Sequence, residues 1–298
     1  MKYVIIFLTV VTFSLSSYGQ GLSVFWEDLT ASDFVEAVTL SEGVCIVPVG
    51  VIEKHGSHLP LGTDLFIARE ISLRAAQKEY CIVYPTYFVG QNFAAMSQPG
   101  AIAYSSELLF EMLDETCREI ARNGIKKIIL LTMHSGNMSF LNYFCQHQKQ
   151  SPKDYVVYAG RPLGDAETQR KIREMRKTTG GEHADELETS VMLALRPDLV
   201  KMDRVANETG VGQNISPLAS MTGLRFYAQY PNYYAGDAKD ANRELGEMSL
   251  DGSVKEVVRW LKTIKADKTM TQLQELFFEK SNAPLETKPW EQELWEVK

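Results

Sequence analysis

The chain has 298 residues, 45% of them hydrophobic, and a formal net charge of −7. That length supports one large core or two modest ones. No Lys/Arg-rich stripe interrupts the acidic balance, which excludes a nucleic-acid footprint.

The first residues read as a separate unit. Lys2 precedes an apolar run at residues 3–13 that is too short for a mature membrane anchor. Ser17 and Gly19 then supply the small −3 and −1 residues of a cleavage site. Residues 1–19 are therefore expected to be a secretory signal peptide, cut before Gln20, and no cysteine follows to carry a lipid. Export places the mature chain in a bacterial periplasm or outside the cell, with no membrane attachment once the signal is gone. Residues 20–298 show no internal repeat or low-complexity segment and read as a single domain.

Strand-like and helical runs then alternate. Residues 44–49 read as a buried strand, 64–78 as a helix and 80–88 as the next strand. An amphipathic helix at 106–123 carries Leu108, Leu109, Met112, Thr116 and Ile120 on one side, with Asn123-Gly124 as its stop. Residues 127–132 form a strand, 139–148 a helix and 155–159 a strand. The charged segment 167–177 is helical, 182–196 is a helix ended by Pro197, and 237–265 and 271–280 are helical. Between them, residues 200–236 are an irregular excursion of the kind that forms lids or binding loops. Alternation with continuously apolar strands predicts an α/β fold whose parallel sheet is covered on both faces. Cys45 and Cys81 in strands, and Cys117 and Cys145 in helices, lack paired spacing and read as buried free thiols.

The most informative stretch is 50–64. Within twelve residues it places Glu53, His55, His58 and Asp64 directly after the first strand. In such sheets ligands bind outside the carboxyl ends of the strands, where the Met133–Asn137 loop also emerges. A lone histidine at a strand end is usually a hydrogen-bonded core residue, but His134 shares its edge with Glu53 and His55, which marks it as a ligand. Further on, Glu188, Val191, Met192 and Leu195 share one helix face. A lone carboxylate on that face needs a metal or a charged partner, unless it sits at the exposed edge of the stripe. His183 lies at the start of this helix, roughly 140° around from Glu188, which suits a different role better than a shared ion. Glu53, His55, Asp64, His134 and Glu188 make a nitrogen and oxygen donor set that suits zinc, manganese or iron. Five donors exceed one tetrahedral zinc but fit two ions sharing a carboxylate.

The motif Glu53-Lys-His55-Gly-Ser-His58-Leu-Pro-Leu-Gly-Thr-Asp64 resembles the metal-binding signature of the creatininase (creatinine amidohydrolase) family. Thr132-Met-His134-Ser-Gly-Asn137, His183-Ala-Asp-Glu-Leu-Glu188, Leu195-Arg-Pro-Asp-Leu-Val-Lys-Met202 and Gly236-Asp237 follow in the family's order. The resemblance runs from about residue 25 to 265 and implies a three-layer α/β/α sandwich with a mostly parallel central sheet. It implies two divalent ions, zinc or manganese before iron: Glu53 and His134 on one, His55 and Glu188 on the other, Asp64 between them. His183 falls at the family's catalytic histidine and would act as general acid/base. Hydroxide generated between the ions would cleave a non-peptide C–N bond of a small cyclic or formyl-type amide. His58 and Asn137 are candidates for orienting the ligands. A homo-oligomer, a hexamer in the family, is also implied.

Three departures turn the expectation away from creatinine. Gly136 stands where creatininases proper carry a further acidic ligand. The four tryptophans, Trp26, Trp260, Trp290 and Trp295, avoid the middle segment where creatininases place theirs, leaving Tyr155, Tyr158, Tyr233 and Tyr234 as possible aromatic surface. Ser97-Gln-Pro-Gly-Ala-Ile replaces a stretch that usually contains histidine. The alternatives are a dimetal peptide-processing hydrolase and a non-catalytic metal-binding protein.

Overall fold

A computed structural model describes residues 21–286. The expected signal peptide at residues 1–19 lies outside them, as do Trp290 and Trp295 in the tail. Strands β1 (Val44–Val49), β2 (Ile82–Val83), β3 (Lys127–Thr132) and β4 (Val156–Gly160) form one parallel sheet in the order β2-β1-β3-β4. In chain order the helices are α1 (Ala31–Leu40), α2 (Thr63–Ala76), α3 (Ser106–Arg122), α4 (Asn137–His147), α5 (Ala166–Met175), α6 (Glu186–Leu195), α7 (Arg225–Gln229), α8 (Arg243–Ala266) and α9 (Thr269–Asn282).

Successive strand residues point to opposite faces, and both faces are covered. Val44, Ile46, Ile129 and Leu131 pack with α2, α6 and α8. Cys45, Val47, Val49, Ile128 and Leu130 pack with α1, α3 and α4. This is the α/β/α sandwich expected. After β1 the chain builds β2 on one flank and then β3 on the other, so the order reverses between β1 and β3. A crevice therefore opens at their carboxyl ends, where the loops carrying Glu53, His55 and His134 emerge. Among the described residues, no helix is long and apolar enough to cross a membrane.

Several elements differ from the sequence reading. The strand expected at 80–88 is paired as a ladder only at Ile82–Val83. Tyr84 N donates to Ile46 O and Tyr87 N to Pro48 O, so three residues here advance against two on β1. Pro85, which has no N–H to give, sits in that bulge. The core stripe of α3 is Leu109, Leu113, Cys117 and Ile120, while Leu108 and Met112 are exposed. Helix α1, unread in the sequence, carries a cap in which Thr30 Oγ1 accepts from Asp33 N. Helix α6 begins at Glu186 rather than 182, because Ala184 takes a left-handed φ of 56° and Asp185 caps the helix. All four cysteines are free thiols, and burial pushes the Cys81 thiol up to about 12.

Helices α6 and α8 meet backbone to backbone. Ser190 Oγ accepts from Asn242 N at 2.9 Å, and a Cβ built on Gly246 would lie 2.0 Å from Ser190 O. Ser190 O is a main-chain atom and cannot swing away as a side chain would. Gly246→Ala is expected to lower the unfolding free energy by about 1–3 kcal/mol through overpacking, read as a shift in the denaturant midpoint. An unchanged midpoint would mean that the two helices part without cost.

Candidate metal centre

The first strand delivers Glu53 and His55 into a short antiparallel turn, with His55 bridged to Leu59 and Glu53 N donating to Leu61 O. Gly56 takes a φ of 59°, and a Cβ there would lie 2.7 Å from the His58 ring. Asp64 and Glu188 sit in the first turns of α2 and α6, where the helix dipole favours negative charge. His134 lies two residues past the end of β3. Glu53 and His55 are fully buried, and Asp64 nearly so.

The six side chains converge. His134 Nδ1 lies 2.9 Å from Glu53 Oε1 and 3.4 Å from Asp64 Oδ2. His55 Nε2 lies 3.7 Å from Glu53 Oε1, 3.8 Å from Asp64 Oδ1 and 3.6 Å from Glu188 Oε1. His183 Nδ1 is 3.9 Å from Glu53 Oε1. Three groups have donor atoms within 4.8 Å of one another: Glu53, Asp64 and His134; His55, Asp64 and Glu188; Glu53, His55 and His183.

Each imidazole is tied at its outer nitrogen to a main-chain carbonyl. His55 Nδ1 lies 3.2 Å from Glu53 O, His134 Nε2 3.1 Å from Gln91 O and His183 Nε2 2.6 Å from Lys54 O. With those nitrogens donating, the inner nitrogen of each ring is the one that would offer its lone pair to a metal once it is deprotonated. Glu53 Oε1, His55 Nε2 and Asp64 Oδ2 are buried and make no hydrogen bond. Three such orphaned donor atoms facing one another fit a cation.

The titration behaviour follows. Burial opposes the charged form of His55 and His134, but the facing carboxylates outweigh it. Glu188 and Asp64 raise His55 well above the usual imidazole range, and Glu53 and Asp64 raise His134 to about 10. Burial likewise opposes the ionised Glu188, yet His55 holds it down to about 2. Protons on the two imidazoles thus balance the carboxylates in the metal-free protein.

His58 faces away. Its Nε2 lies 2.9 Å from Thr189 Oγ1, and burial, then the charge on His55, lowers it to about 4. Asn137 acts at one remove: its Oδ1 accepts from Gln91 N, and the Gln91 carbonyl holds His134. His183 is not on the helix as expected. It lies before the cap, bridged to Ala235. Of the four tyrosines, Tyr233 reaches the cluster and donates to Glu53 Oε2 at 2.7 Å. Tyr158 is engaged by Asp267, Tyr234 by Ala238 N, and Tyr155 is buried in the α3 layer. A Cβ on Gly136 would lie 2.4 Å from His134 Nε2, so no side chain fits there unless that ring moves. The Gln91 and Lys54 carbonyls had no sequence signal, because any residue offers one.

His134 has a folded-state value of about 10 against an ordinary unfolded value of about 6.5. Its contribution to metal-free stability is fully present below pH 6.5 and lost as pH rises through 10. Zinc or manganese titrated into the metal-free protein at pH 7.5 is expected to release protons from His55 and His134. The measurement is calorimetry in buffers of different ionisation enthalpy. A binding heat independent of the buffer would rule the release out.

Residues 27–261 match the family model described as creatinine amidohydrolase. The chain is 28% identical over 251 residues to the creatinine amidohydrolase of Pseudomonas putida, covering 77% of this chain and 92% of that one. It is also 28% identical over 234 residues to the mycofactocin precursor peptide peptidase of Mycobacterium ulcerans, covering 72% and 84%. A crystal structure of creatininase superimposes with a TM-score of 0.71 at 23% identity, covering 83% of this chain and all of that one, and related creatininase structures are described as a manganese form and a Zn–Zn type. With the family model spanning most of its length, the chain belongs to the creatininase family, whose members are metal-dependent amidohydrolases.

Proposed function

We propose that the chain is an exported amidohydrolase that cleaves a non-peptide C–N bond of a small cyclic or formyl-type amide. In this reading Glu53, Asp64 and His134 hold one divalent ion, His55, Asp64 and Glu188 hold the other, and His183 is the general acid/base. The observation that carries it is the position of Asp64, whose two oxygens face different imidazoles, Oδ1 toward His55 and Oδ2 toward His134. A carboxylate so placed can join two ions. The donor types and the manganese and zinc forms of the related structures support either metal, with iron compatible with the same donors. When bound, the ions would polarise the scissile carbonyl and make water acidic enough to attack it near neutral pH.

The protein's own groups do the rest. Tyr233 donates to Glu53 Oε2, which leaves Oε1 directed at His134 and His55. The Lys54 carbonyl holds His183 Nε2, so Nδ1 is the atom that carries a proton to the leaving nitrogen. Export rests on the first nineteen residues alone. Creatinine itself is disfavoured: Gly136 has no room for an acid, and among the described residues Trp26 and Trp260 pack elsewhere, on Phe34 and Gly160. Similarity to the mycofactocin precursor peptide peptidase favours peptide processing as the second reading. Turnover of hydantoins, lactams and formamides against short peptides separates the two.

Glu188→Gln is expected to bind one ion instead of two, measured by elemental analysis, with activity lost. His183→Asn is expected to keep both ions while kcat falls about 10²- to 10⁴-fold. Full metal content and full activity in Glu188→Gln would sink the two-ion assignment.

A further inference from the structure

A cavity of about 410 Å³ adjoins the cluster, with Glu188 in its wall. Its volume suits a small molecule, and Ile67, Ile71, Val191 and Leu250 give it an apolar side. Three carboxylates line it, and each is engaged. Glu182 pairs with Arg225 at 2.5 Å, Asp185 with Arg176 at 2.8 Å, and Glu188 faces His55. Two guanidiniums line it as well. Arg176 is paired through one Nη with Asp185 and Thr178, and its Nε is buried without a hydrogen-bond partner.

Arg161 differs. It follows β4 directly, at the sheet edge that carries His134, and is half-buried. Its Nε donates to the carbonyl of Met133, the residue before His134, at 3.1 Å. That bond fixes the guanidinium against the strand end. Among the described residues, no carboxylate lies within ion-pair distance of it and its Nη groups find no protein acceptor. A half-buried cation with one edge pinned and two donors unspent is arranged for a planar anion.

We propose that Arg161 selects the substrate by pairing with a carboxylate that the amide carries apart from its scissile bond. The preferred substrates are then small lactams, cyclic ureides or N-formyl compounds bearing a free carboxylate. The inference rests on the amidohydrolase reading above, and it explains how an anion enters a site rich in carboxylates. Arg161 holds the charge at the β4 end of the cavity, apart from Glu53, Asp64 and Glu188.

The test compares matched pairs on the metal-loaded enzyme: 5-oxoproline against 2-pyrrolidinone, and 5-carboxymethylhydantoin against hydantoin. The acidic member is expected to be preferred in kcat/KM, and Arg161→Met to reduce that acid-to-neutral ratio by about 10- to 100-fold through KM, the scale of a charged hydrogen bond. Arg161→Lys keeps the charge but not the fork and is expected to fall between. If Arg161→Met does not fold, the lysine variant carries the test, and an unchanged ratio there overturns the proposal. Binding of 5-oxoproline to wild type and variants by calorimetry, with inorganic phosphate as competitor, separates the remaining outcomes. Arg161-dependent binding without turnover of any amide supports the carboxylate site and sinks the amidohydrolase reading instead. Turnover with a ratio indifferent to Arg161, failure of 5-oxoproline to bind, or Arg161-dependent binding of phosphate tighter than that of 5-oxoproline each overturns the proposal.

Discussion

Three carboxylates and three imidazoles share one buried volume at the carboxyl ends of β1 and β3, and the architecture around them answers the charge problem that creates. Glu53 has no solvent contact and Asp64 almost none. Ionised groups so placed cost several kcal/mol each unless they are paired. In the metal-free chain the pairing comes from protons held by His55 and His134 well above their ordinary range. Divalent cations would satisfy the same carboxylates, leaving those imidazoles neutral. The main chain prepares for this, since the carbonyls of Glu53, Gln91 and Lys54 each take the outer nitrogen of one ring.

That preparation has a conformational cost. Among the described residues, Ala184 and Tyr233 are two of the three non-glycine residues with positive φ, and both serve the cluster. Ala184 N donates to Glu188 Oε2 at 2.6 Å, and Tyr233 donates to Glu53. Left-handed backbone at such residues costs about 1–3 kcal/mol each and persists only where surrounding bonds over-determine it. Here the bridge between His183 and Ala235 lies beside both, and Lys54 ties the first loop to Glu208 and to the Asn232 carbonyl. The irregular excursion at 200–236 is therefore anchored to the site and supplies one of its groups.

In the proposed reading, chemistry and selection are separated in space. The cluster at β1 and β3 would set what kind of bond can be attacked. The adjoining cavity, lined by Arg161 at the end of β4, would bear on which molecule is held there. Gly136 leaves free the space that His134 and Gln91 occupy, since a Cβ there would lie 2.4 Å from His134 Nε2 and 3.1 Å from Gln91 Oε1. Amidohydrolases of one family can thus share a metal-binding motif while their cavities diverge.

The amino-acid sequence alone determined the parallel sheet, its two helical layers and the placement of Glu53, His55 and His134 at strand ends. Apolar periodicity and strand–helix alternation are local properties of the chain. It also located Asp64 at a helix start and Glu188 on a helix. Only the tertiary structure decided that Asp64 directs one oxygen to each of two imidazoles, because that depends on β1 and β3 being neighbours. The short β2 ladder, the late start of α6 and the non-helical His183 came from a bulge at Pro85 and a left-handed Ala184, which no periodicity encodes. The bond from Tyr233, read in the sequence only as possible aromatic surface, and the orienting carbonyls were equally invisible. The first joins it to Glu53, 180 residues away. The others are backbone atoms that every residue possesses, so only the fold gives them a position.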